Sequence, residues 1–284
     1  MRFVSYANSQ GPRVAVETPR GLVDLAAADV SLPRNLKELL SGGPELLQRC
    51  AAAAEKGPLL NRSHIRILPP IPDPEKIICI GLNYADHAAE TGAAIPSEPV
   101  CFSKFLTSLR ADGEAIELPP VAHEVDYEAE LVVVIGVGGK NIPREKAMEH
   151  IGGYTCGHDV SARDWQKGKP GGQWLLGKSF DSFAPCGPVL VTADEIPNVG
   201  QLNIKLRLNG KTMQDSSTKQ LIFDVGYLVS YLSQVVTLKP GDLIFTGTPP
   251  GVGVARKPPV FLKPGDVVEV EIEKIGVLKN PVVG

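Results

Sequence analysis

The most strongly apolar segment of the chain is the run LVVVIGV, which occupies residues 131–137. Because polar residues do not alternate with the apolar ones, this run predicts a strand that is buried on both faces. A second strand of the same kind is predicted at residues 76–81, KIICIG. Other short apolar segments adjoin Asn-Gly and Lys-Pro-Gly-Asp turns, at residues 209–210, 239–242 and 263–266, and this spacing is typical of a β-rich fold.

The first 70 residues have a pattern of their own, which predicts a small N-terminal α/β module. Three short strands and one interrupted helix are predicted there, at Arg2–Tyr6, Arg13–Glu17, Gly21–Leu25 and residues 36–54. Residues 68–76 contain four prolines and predict a stiff, extended linker. We therefore predict one domain at residues 1–70 and a second domain, which carries the chemistry, at residues 71–284.

Helix-terminating signals in the second domain predict three helices. Asn83 is expected to cap a short helix that Gly92 ends. Ser161 and Asp164 have the spacing of a capping box, so Asp164 is interpreted as a cap rather than as a metal ligand. A longer amphipathic helix is predicted at residues 223–236.

Two carboxylates precede the LVVVIGV run, and a third follows the next apolar segment. Glu128 and Glu130 are two residues apart, so on a strand they point to the same face, about 7 Å apart. Buried carboxylates repel each other and lose hydration, and a divalent cation relieves both costs. We predict that Glu128, Glu130 and Asp159 bind one metal ion. Their all-oxygen donor set favours Mg²⁺ or Mn²⁺, with Ca²⁺ as a substitute, over Zn²⁺.

An isolated E-x-E pair more often marks the solvated face of an edge strand. Its position directly before so apolar a run favours the metal site. Asp126 would lie on the same face, either as a neighbour of the site or as a rim charge. His158 is interpreted as a core residue, and Lys104 as structural or at the edge of the site.

Other polar residues have patterns that suit catalysis. His87 and Glu90 share one face of the predicted short helix, which fits either a general base with its orienting carboxylate or a surface ion pair. Lys178 follows an apolar segment and precedes Phe180, so its stem is predicted to be buried. A half-buried ammonium beside an acidic metal site can stabilise an oxyanion or move a proton. Candidate contacts for an anionic substrate are Arg163, Gln166 and Thr248.

Composition limits the class of function. The 284 residues carry a net charge of −3 without a basic run, so no nucleic acid partner is expected. No apolar stretch approaches the roughly 18 residues of a membrane span, so no membrane partner is expected either. The five cysteines are odd in number and form no C-x-x-C pair, as in a reduced protein. The first residues have no apolar signal core, and their acidic residues argue against a transit peptide, so the expected compartment is the cytoplasm.

Five segments, in this order and spacing, resemble the fumarylacetoacetate hydrolase family: NYADHAAE, DYEAELVVVIG, GHDVSARDWQ, LLGKSFDSFAPCGP and FTGTPPGVG. The resemblance covers residues 76–284. The segments RKPPVFLKPGD and QWLLGKSFD further resemble the domain-containing protein 2 branch of that family. The resemblance implies an α+β, β-rich fold with a mixed-sheet β-roll as its catalytic domain, and a homodimer.

The resemblance also implies a role for each matched residue. It implies that Glu128, Glu130 and Asp159 are metal ligands and that His87 and Glu90 form a catalytic dyad. It implies that Lys178 is an active-site lysine, and that the substrate contacts are Arg163, Gln166 and Thr248. The dyad segment closes as a lid in relatives. Related animal proteins are mitochondrial, so the cytoplasmic expectation would change for a chain of animal origin.

Members of this family share one intermediate, the enolate of a 2-oxoacid, which a divalent metal stabilises. The branch resemblance predicts a keto–enol tautomerase of oxaloacetate or a similar 2-oxo dicarboxylate. The alternatives are a C–C bond hydrolase of acylpyruvate-type diketo acids and an oxaloacetate decarboxylase. A metal-holding scaffold without turnover is a further alternative, and the dyad and the lysine argue against it, because a scaffold needs no base.

Overall fold

The computed structural model describes residues 1–284, and β-strands dominate its secondary structure. The strands are β1 (Arg2–Asn8), β2 (Gly11–Thr18), β3 (Gly21–Asp24), β4 (Arg66–Ile67), β5 (Ile77–Gly81), β6 (Val100–Ser103), β7 (Leu109–Arg110), β8 (Ile116–Glu117), β9 (Val125–Asp126), β10 (Ala129–Ile135), β11 (Ile151–His158), β12 (Ser161–Ala162), β13 (Ala184–Thr192), β14 (Asn203–Leu208), β15 (Lys211–Ser217), β16 (Leu243–Phe245), β17 (Val267–Ile272) and β18 (Gly276–Val283). The helices are α1 (Leu25–Ala28), α2 (Leu36–Ser41), α3 (Gly43–Lys56), α4 (Ala85–Thr91), α5 (Arg163–Gln166), α6 (Trp174–Lys178) and α7 (Val225–Val235).

Most strands belong to two mixed sheets. The larger sheet has eleven strands, nine of them in the order β3-β2-β1-β13-β11-β10-β16-β5-β6. The second sheet has the order β15-β14-β17-β18-β8. Most neighbours are antiparallel, but three pairs are parallel: β16 with β5, β13 with β7, and β18 with β8. The fold is therefore α+β and rich in mixed β-sheet, as the sequence predicted.

The strand β10 lies between two hydrophobic cores. Leu131 and Val133 belong to the larger core, which also contains side chains of β14 and β17. Val132 and Val134 belong to the smaller core, together with side chains of α2. All four residues are almost completely buried. This explains the absence of polar alternation in the LVVVIGV run and confirms the prediction of a strand buried on both faces.

The N-terminal strands extend the sheet that contains β10. Strand β1 pairs antiparallel with β13, with Phe3 opposite Leu190. The predicted strands and the interrupted helix of this region are confirmed as β1 to β3 and as α2 and α3. The proline-rich segment has no strand or helix, and its Ile71 is buried in the smaller core. The division into domains at about residue 70 stays a prediction.

Other predicted elements are confirmed with small shifts at their ends. Asn209 and Gly210 join β14 to β15, and the predicted amphipathic helix is α7. Asp224 caps that helix, because its side chain accepts a hydrogen bond from the Tyr227 amide at 2.7 Å. None of the helices has both the length and the apolar composition that crossing a membrane requires.

Gly157 in β11 is required by the packing between the central strands. A Cβ atom at this position would lie 2.3 Å from Val132 Cγ2 and 2.6 Å from Phe245 Cε1. We therefore expect Gly157→Ala to lower the free energy of unfolding by about 1–3 kcal/mol, as overpacked core positions do. Urea denaturation measures this change. Gly200→Ala is the matched control, because its nearest neighbour is 3.7 Å away, and an equal effect in both variants would contradict the prediction.

Candidate active site

Two antiparallel strands bring the three predicted metal ligands together. Glu130 lies in β10 opposite Gly157, Glu128 directly precedes β10, and Asp159 directly follows β11. The backbone pairing continues past the strand ends, since the Asp159 amide donates to the Glu128 carbonyl at 2.9 Å. One carboxylate oxygen from each residue lies within 4.8 Å of the other two, and all three side chains are buried. The predicted carboxylate cluster is therefore present in the fold.

Two buried lysines contact the carboxylate cluster. Lys178, at the end of α6, donates to Glu128 Oε2 at 2.8 Å and to Asp159 Oδ2 at 2.7 Å. Lys104 forms an ion pair with Asp159 Oδ1 and donates to the carbonyls of Val160 and Lys178. Burial alone would lower the pKa of Lys178, but the negative charges of Asp159 and Glu128 outweigh it and raise that pKa. The two lysines thus offset the charge of two of the three clustered carboxylates.

Arg163, at the start of α5, links the cluster to a further carboxylate. Its guanidinium donates to Glu128 Oε1 at 2.6 Å, to Asp126 Oδ2 at 2.9 Å and to Gln166 Oε1 at 2.9 Å. Asp126 is fully buried and also accepts hydrogen bonds from the amides of Gly253 and Val254. Burial tends to raise the pKa of Glu128, but the adjacent Lys178 and Arg163 charges outweigh it and hold that pKa well below its ordinary value.

Glu130 is the one member of the cluster without a cationic partner. Its carboxylate accepts a single hydrogen bond, from the Gly247 amide at 2.8 Å. Burial, followed by repulsion from Asp159 and Glu128, raises the pKa of Glu130 well above its ordinary value. The protein therefore leaves one buried carboxylate uncompensated, which is unfavourable without a further cation.

The chemistry of the cluster fits a divalent cation. All donors are carboxylate oxygens, as Mg²⁺ and Mn²⁺ prefer. The oxygens that contact Lys178 and Arg163 keep further lone-pair sites, so these contacts still permit metal coordination. The Glu130 carboxylate, which lacks a cation, supplies the unbalanced charge. The structure thus supports a divalent-metal site in general terms, with no preference between particular ions.

His87 and Glu90 form a contact on the short helix α4. His87 Nδ1 lies 3.1 Å from Glu90 Oε2, and Glu90 Oε1 accepts from the Gly251 amide at 2.9 Å. His87 is only 8% exposed and lines the same cavity as Glu128 and Glu130. The arrangement therefore differs from a solvated surface ion pair, since Nδ1 is held by a carboxylate while Nε2 is left without a protein partner.

The cavity beside the carboxylates has a volume of about 290 Å³, at the small end of the usual range for ligand sites. The predicted site residues His87, Glu128, Glu130, Arg163, Gln166, Lys178 and Thr248 all contribute to its lining, whereas Asp159 and Glu90 do not. Part of the lining is apolar, and includes Phe102, Trp174 and Val252. The structure therefore brings the nine predicted residues to one site, seven of them directly on its surface.

Two neutral hydrogen-bond donors also face the cavity. Thr248 Oγ1 accepts from Gln214 Nε2 at 2.8 Å, so its own proton stays free to be donated. Gln166 uses its carbonyl oxygen to accept from Arg163, which leaves its amide group as the donor. The side-chain oxygen of Gln214, Oε1, accepts a hydrogen bond from the backbone amide of Ala129, next to Glu130. These contacts fix the orientation of Thr248 and Gln166 towards a ligand.

Both N-terminal capping predictions near the site were wrong, whereas Gly92 ends α4 as predicted. Asn83 does not cap α4. Its side chain is buried, donates to the carbonyls of Phe223 and Thr246, and accepts from the Phe223 amide. Ser161 and Asp164 form no capping box, because Ser161 donates to the Asp159 carbonyl and Asp164 accepts from the His123 amide. In both cases the side chain that the local pattern assigned to a cap forms its hydrogen bonds elsewhere, with residues distant in sequence or with the Asp159 carbonyl.

Sequence reasoning underestimated Lys104. Its side chain is as buried as that of Lys178, and it lies between two phenylalanines, Phe102 and Phe105. The apolar flanks that indicated Lys178 would have indicated Lys104 as well.

His158 is confirmed as a core residue. Burial, aided by the positive charge of Lys104, lowers its pKa to about 3, and neither ring nitrogen has a hydrogen-bond partner.

Comparison with known proteins agrees with this geometry. Residues 76–283 match the family model described as fumarylacetoacetate (FAA) hydrolase C-terminal. The chain is 50% identical to oxaloacetate tautomerase fahd2, mitochondrial, of Xenopus laevis, over all of this chain and 90% of that protein. A putative HpcE protein from Mycobacterium smegmatis has a similar structure, with a TM-score of 0.88, 40% identity, and coverage of 100% of this chain and 99% of that one.

A second solved structure is that of fumarylacetoacetate hydrolase from Exiguobacterium antarcticum, with a TM-score of 0.87 and 36% identity over 100% of this chain and 99% of that one. Relatives at this similarity thus carry names of both isomerase and hydrolase type. With the family model spanning nearly three quarters of its length, and with these full-length relatives, the chain belongs to the fumarylacetoacetate hydrolase family.

Proposed function

We propose that this protein is a divalent-metal-dependent enzyme that interconverts the enol and keto forms of oxaloacetate or a similar 2-oxo dicarboxylate. The observation that carries the proposal is the buried carboxylate cluster with the Lys178 ammonium at its edge. Glu128, Glu130 and Lys178 line one small cavity. Such a site combines charge stabilisation of an enolate with a group that can move a proton. The name of the Xenopus laevis relative supports the choice of oxaloacetate.

Glu128, Glu130 and Asp159 would hold the metal ion, for which we propose Mg²⁺ or Mn²⁺, with Ca²⁺ as a substitute. When bound, the ion supplies a Lewis acid for the oxygens of a 2-oxoacid. Three of the five guanidinium N–H groups of Arg163 are donated, to Asp126, Glu128 and Gln166. In this proposal it holds the Gln166 amide group towards the cavity and, because it also lines the cavity, offers its remaining N–H groups to the substrate.

Lys178 is the proposed proton carrier at C3. Two of its three ammonium hydrogens are donated to Glu128 and Asp159, and the third is left for the cavity, which Lys178 lines beside Phe102. Ketonisation of the enol adds a proton at C3 and removes one from the hydroxyl oxygen at C2. In this proposal the Thr248 hydroxyl and the Gln166 amide hold the C1 carboxylate of the substrate during the proton transfer.

The first test follows the decay of enol-oxaloacetate by ultraviolet absorbance, with Mg²⁺ and with EDTA, while CO₂ is measured in the same sample. We expect fast, metal-dependent decay without stoichiometric CO₂. Decay matched by CO₂ would identify a decarboxylase instead. An absence of any effect on oxaloacetate would contradict the proposal and direct attention to acylpyruvates as substrates.

Hydrolysis of a C–C bond in acylpyruvate-type diketo acids is the second candidate, because the His87–Glu90 contact is suited to activate water. The name of the Exiguobacterium antarcticum relative is consistent with such chemistry. We expect His87→Ala to reduce tautomerisation less than about tenfold and to abolish any diketo-acid cleavage, since general-base catalysis contributes about 10²–10⁴-fold. Equal losses in both assays would show that the dyad serves both reactions.

For the oligomeric state and the cellular compartment, we propose what the sequence predicts. A homodimer would have twice the 30.3 kDa mass of the chain in light scattering. We propose the cytoplasm as its compartment. The Xenopus laevis relative is named as mitochondrial, so a chain of animal origin would belong in mitochondria, and fractionation of the source cells decides between the two.

A further inference from the structure

The cavity wall contains one cation that the fold leaves without a carboxylate partner. Lys178 is paired with Glu128 and Asp159, and Arg163 is paired with Asp126 and Glu128. Lys167 lines the same cavity, is exposed, and forms no ion pair or side-chain hydrogen bond with the protein. It is therefore the only positively charged group of the cavity lining that is fully available to a ligand.

The position of Lys167 relative to the carboxylate cluster is set by α5. Its amide donates to the Arg163 carbonyl at 2.9 Å and closes that helix, and the preceding residue, Gln166, faces the cavity. The loop that follows leads to α6, which carries Trp174 and Lys178. Lys167 thus lies at the mouth of a cavity whose inner wall holds Glu128 and Glu130.

The proposed substrate has two charged ends with different needs. Its C1 carboxylate and 2-oxo group belong at the metal end of the cavity, and its C4 carboxylate must then point away from Glu128 and Glu130. Much of the remaining lining is apolar, including Phe102, Trp174 and Val252, and cannot compensate a charge. Lys167 supplies the missing positive charge.

We propose that Lys167 binds the distal carboxylate of the substrate and so selects 2-oxo dicarboxylates over 2-oxo monocarboxylates. This inference rests on the proposed function. Its ammonium would form a charge-assisted hydrogen bond with the C4 carboxylate. Because the group is exposed, the interaction is weakened by solvent, and we expect a moderate contribution to binding.

The test compares Lys167→Met, Lys167→Arg and Lys169→Met with the wild type. Lys169 is the matched control, since it is two residues away, exposed, and lies over the Trp165 ring rather than in the cavity. In Lys167→Met we expect KM for enol-oxaloacetate to rise about fivefold, with kcat retained. Lys167→Arg should restore KM, and Lys169→Met should leave it unchanged.

A second measurement separates recognition of the distal carboxylate from a general effect on the site. The probe is 2-oxobutanoate, in which a methyl group replaces the C4 carboxylate, assayed as an inhibitor that competes with enol-oxaloacetate. Its inhibition constant should be the same in the wild type and in Lys167→Met. An unchanged KM in Lys167→Met, an equal change in Lys169→Met, or an equal weakening of 2-oxobutanoate would overturn the inference. Inactivity of the wild type on oxaloacetate would instead overturn the proposed function on which it rests.

Discussion

Glu130→Gln is expected to abolish metal-dependent tautomerisation of oxaloacetate while it makes the metal-free protein more stable. The loss of activity should reach about 10³-fold, because the cation contributes several kcal/mol to stabilisation of the enolate charge. Glutamine keeps the shape of the side chain and can still accept the hydrogen bond from Gly247. The variant therefore removes a charge with little change in packing.

The gain in stability follows from the raised pKa of Glu130. At a pH below the ordinary pKa of 4.5, the Glu130 carboxyl is protonated in both the folded and the unfolded chain, so it does not destabilise the folded state. As the pH rises above that value, Glu130 ionises first in the unfolded chain. The free energy of unfolding then falls, because the folded state must either retain the proton or bury the charge. In EDTA the Tm of Glu130→Gln should therefore exceed that of the wild type at pH 8 and match it near pH 4.

Calorimetry and titration calorimetry with Mg²⁺ measure the two halves of this prediction. A chain of this size gains about 2–4 °C in Tm for each kcal/mol. Mg²⁺ should stabilise the wild type and leave Glu130→Gln unchanged. Glu124→Gln provides the same chemical change at an exposed position six residues earlier in the chain. If Glu130→Gln still bound Mg²⁺ with wild-type affinity, Glu130 would not be a metal ligand, and the prediction would be wrong.

Lys178→Met should have the second largest effect, a fall in kcat of about 10²–10⁴-fold, as expected for loss of a positioned proton donor. It should also lower the free energy of unfolding by about 3–5 kcal/mol, because Glu128 and Asp159 lose a buried cationic partner. Added Mg²⁺ should recover part of that stability. Urea denaturation with and without Mg²⁺, alongside steady-state kinetics, measures both effects.

Lys178→Arg distinguishes the charge of the side chain from its proton. Arginine keeps a cation near Glu128 and Asp159 but does not release its proton at neutral pH. We expect this variant to recover stability and to remain slow. Lys205→Met, which removes a partly exposed lysine paired with Asp215, controls for the loss of a lysine in general. Full activity in Lys178→Arg would mean that Lys178 acts through charge alone.

The parts of this site that follow from local patterns could be predicted from the sequence. The two-residue spacing of Glu128 and Glu130, and the unbroken apolar run after them, describe a strand that enters the core. Resemblance to a family then added His87 and Glu90, whose spacing alone also fits a surface ion pair. Each of these signals lies within a few residues of the chain.

The remaining contacts depend on residues that are distant in sequence. Asn83 has a good capping residue type, but its amide is taken by Phe223 and Thr246, more than 100 positions away. Asp126 could be read as a rim charge, and only the fold brings Arg163 and the Gly253 amide to it. A sequence pattern cannot rank such partners, because the three-dimensional fold decides which polar groups meet in the interior.

The two halves of the site are attached to elements of unequal strength. Glu130 lies in β10, and Glu128 and Asp159 lie at the ends of β10 and β11, two strands of an eleven-stranded sheet. His87 and Glu90 lie on α4, a helix of seven residues. So short a helix has little stability of its own and depends on contacts such as that of Asp86 with Ser216 and of Glu90 with Gly251. Amide hydrogens of α4 should exchange with solvent through local opening, long before those of β10. We therefore expect ligands to enter and leave by opening of this one short segment while the carboxylate cluster stays assembled.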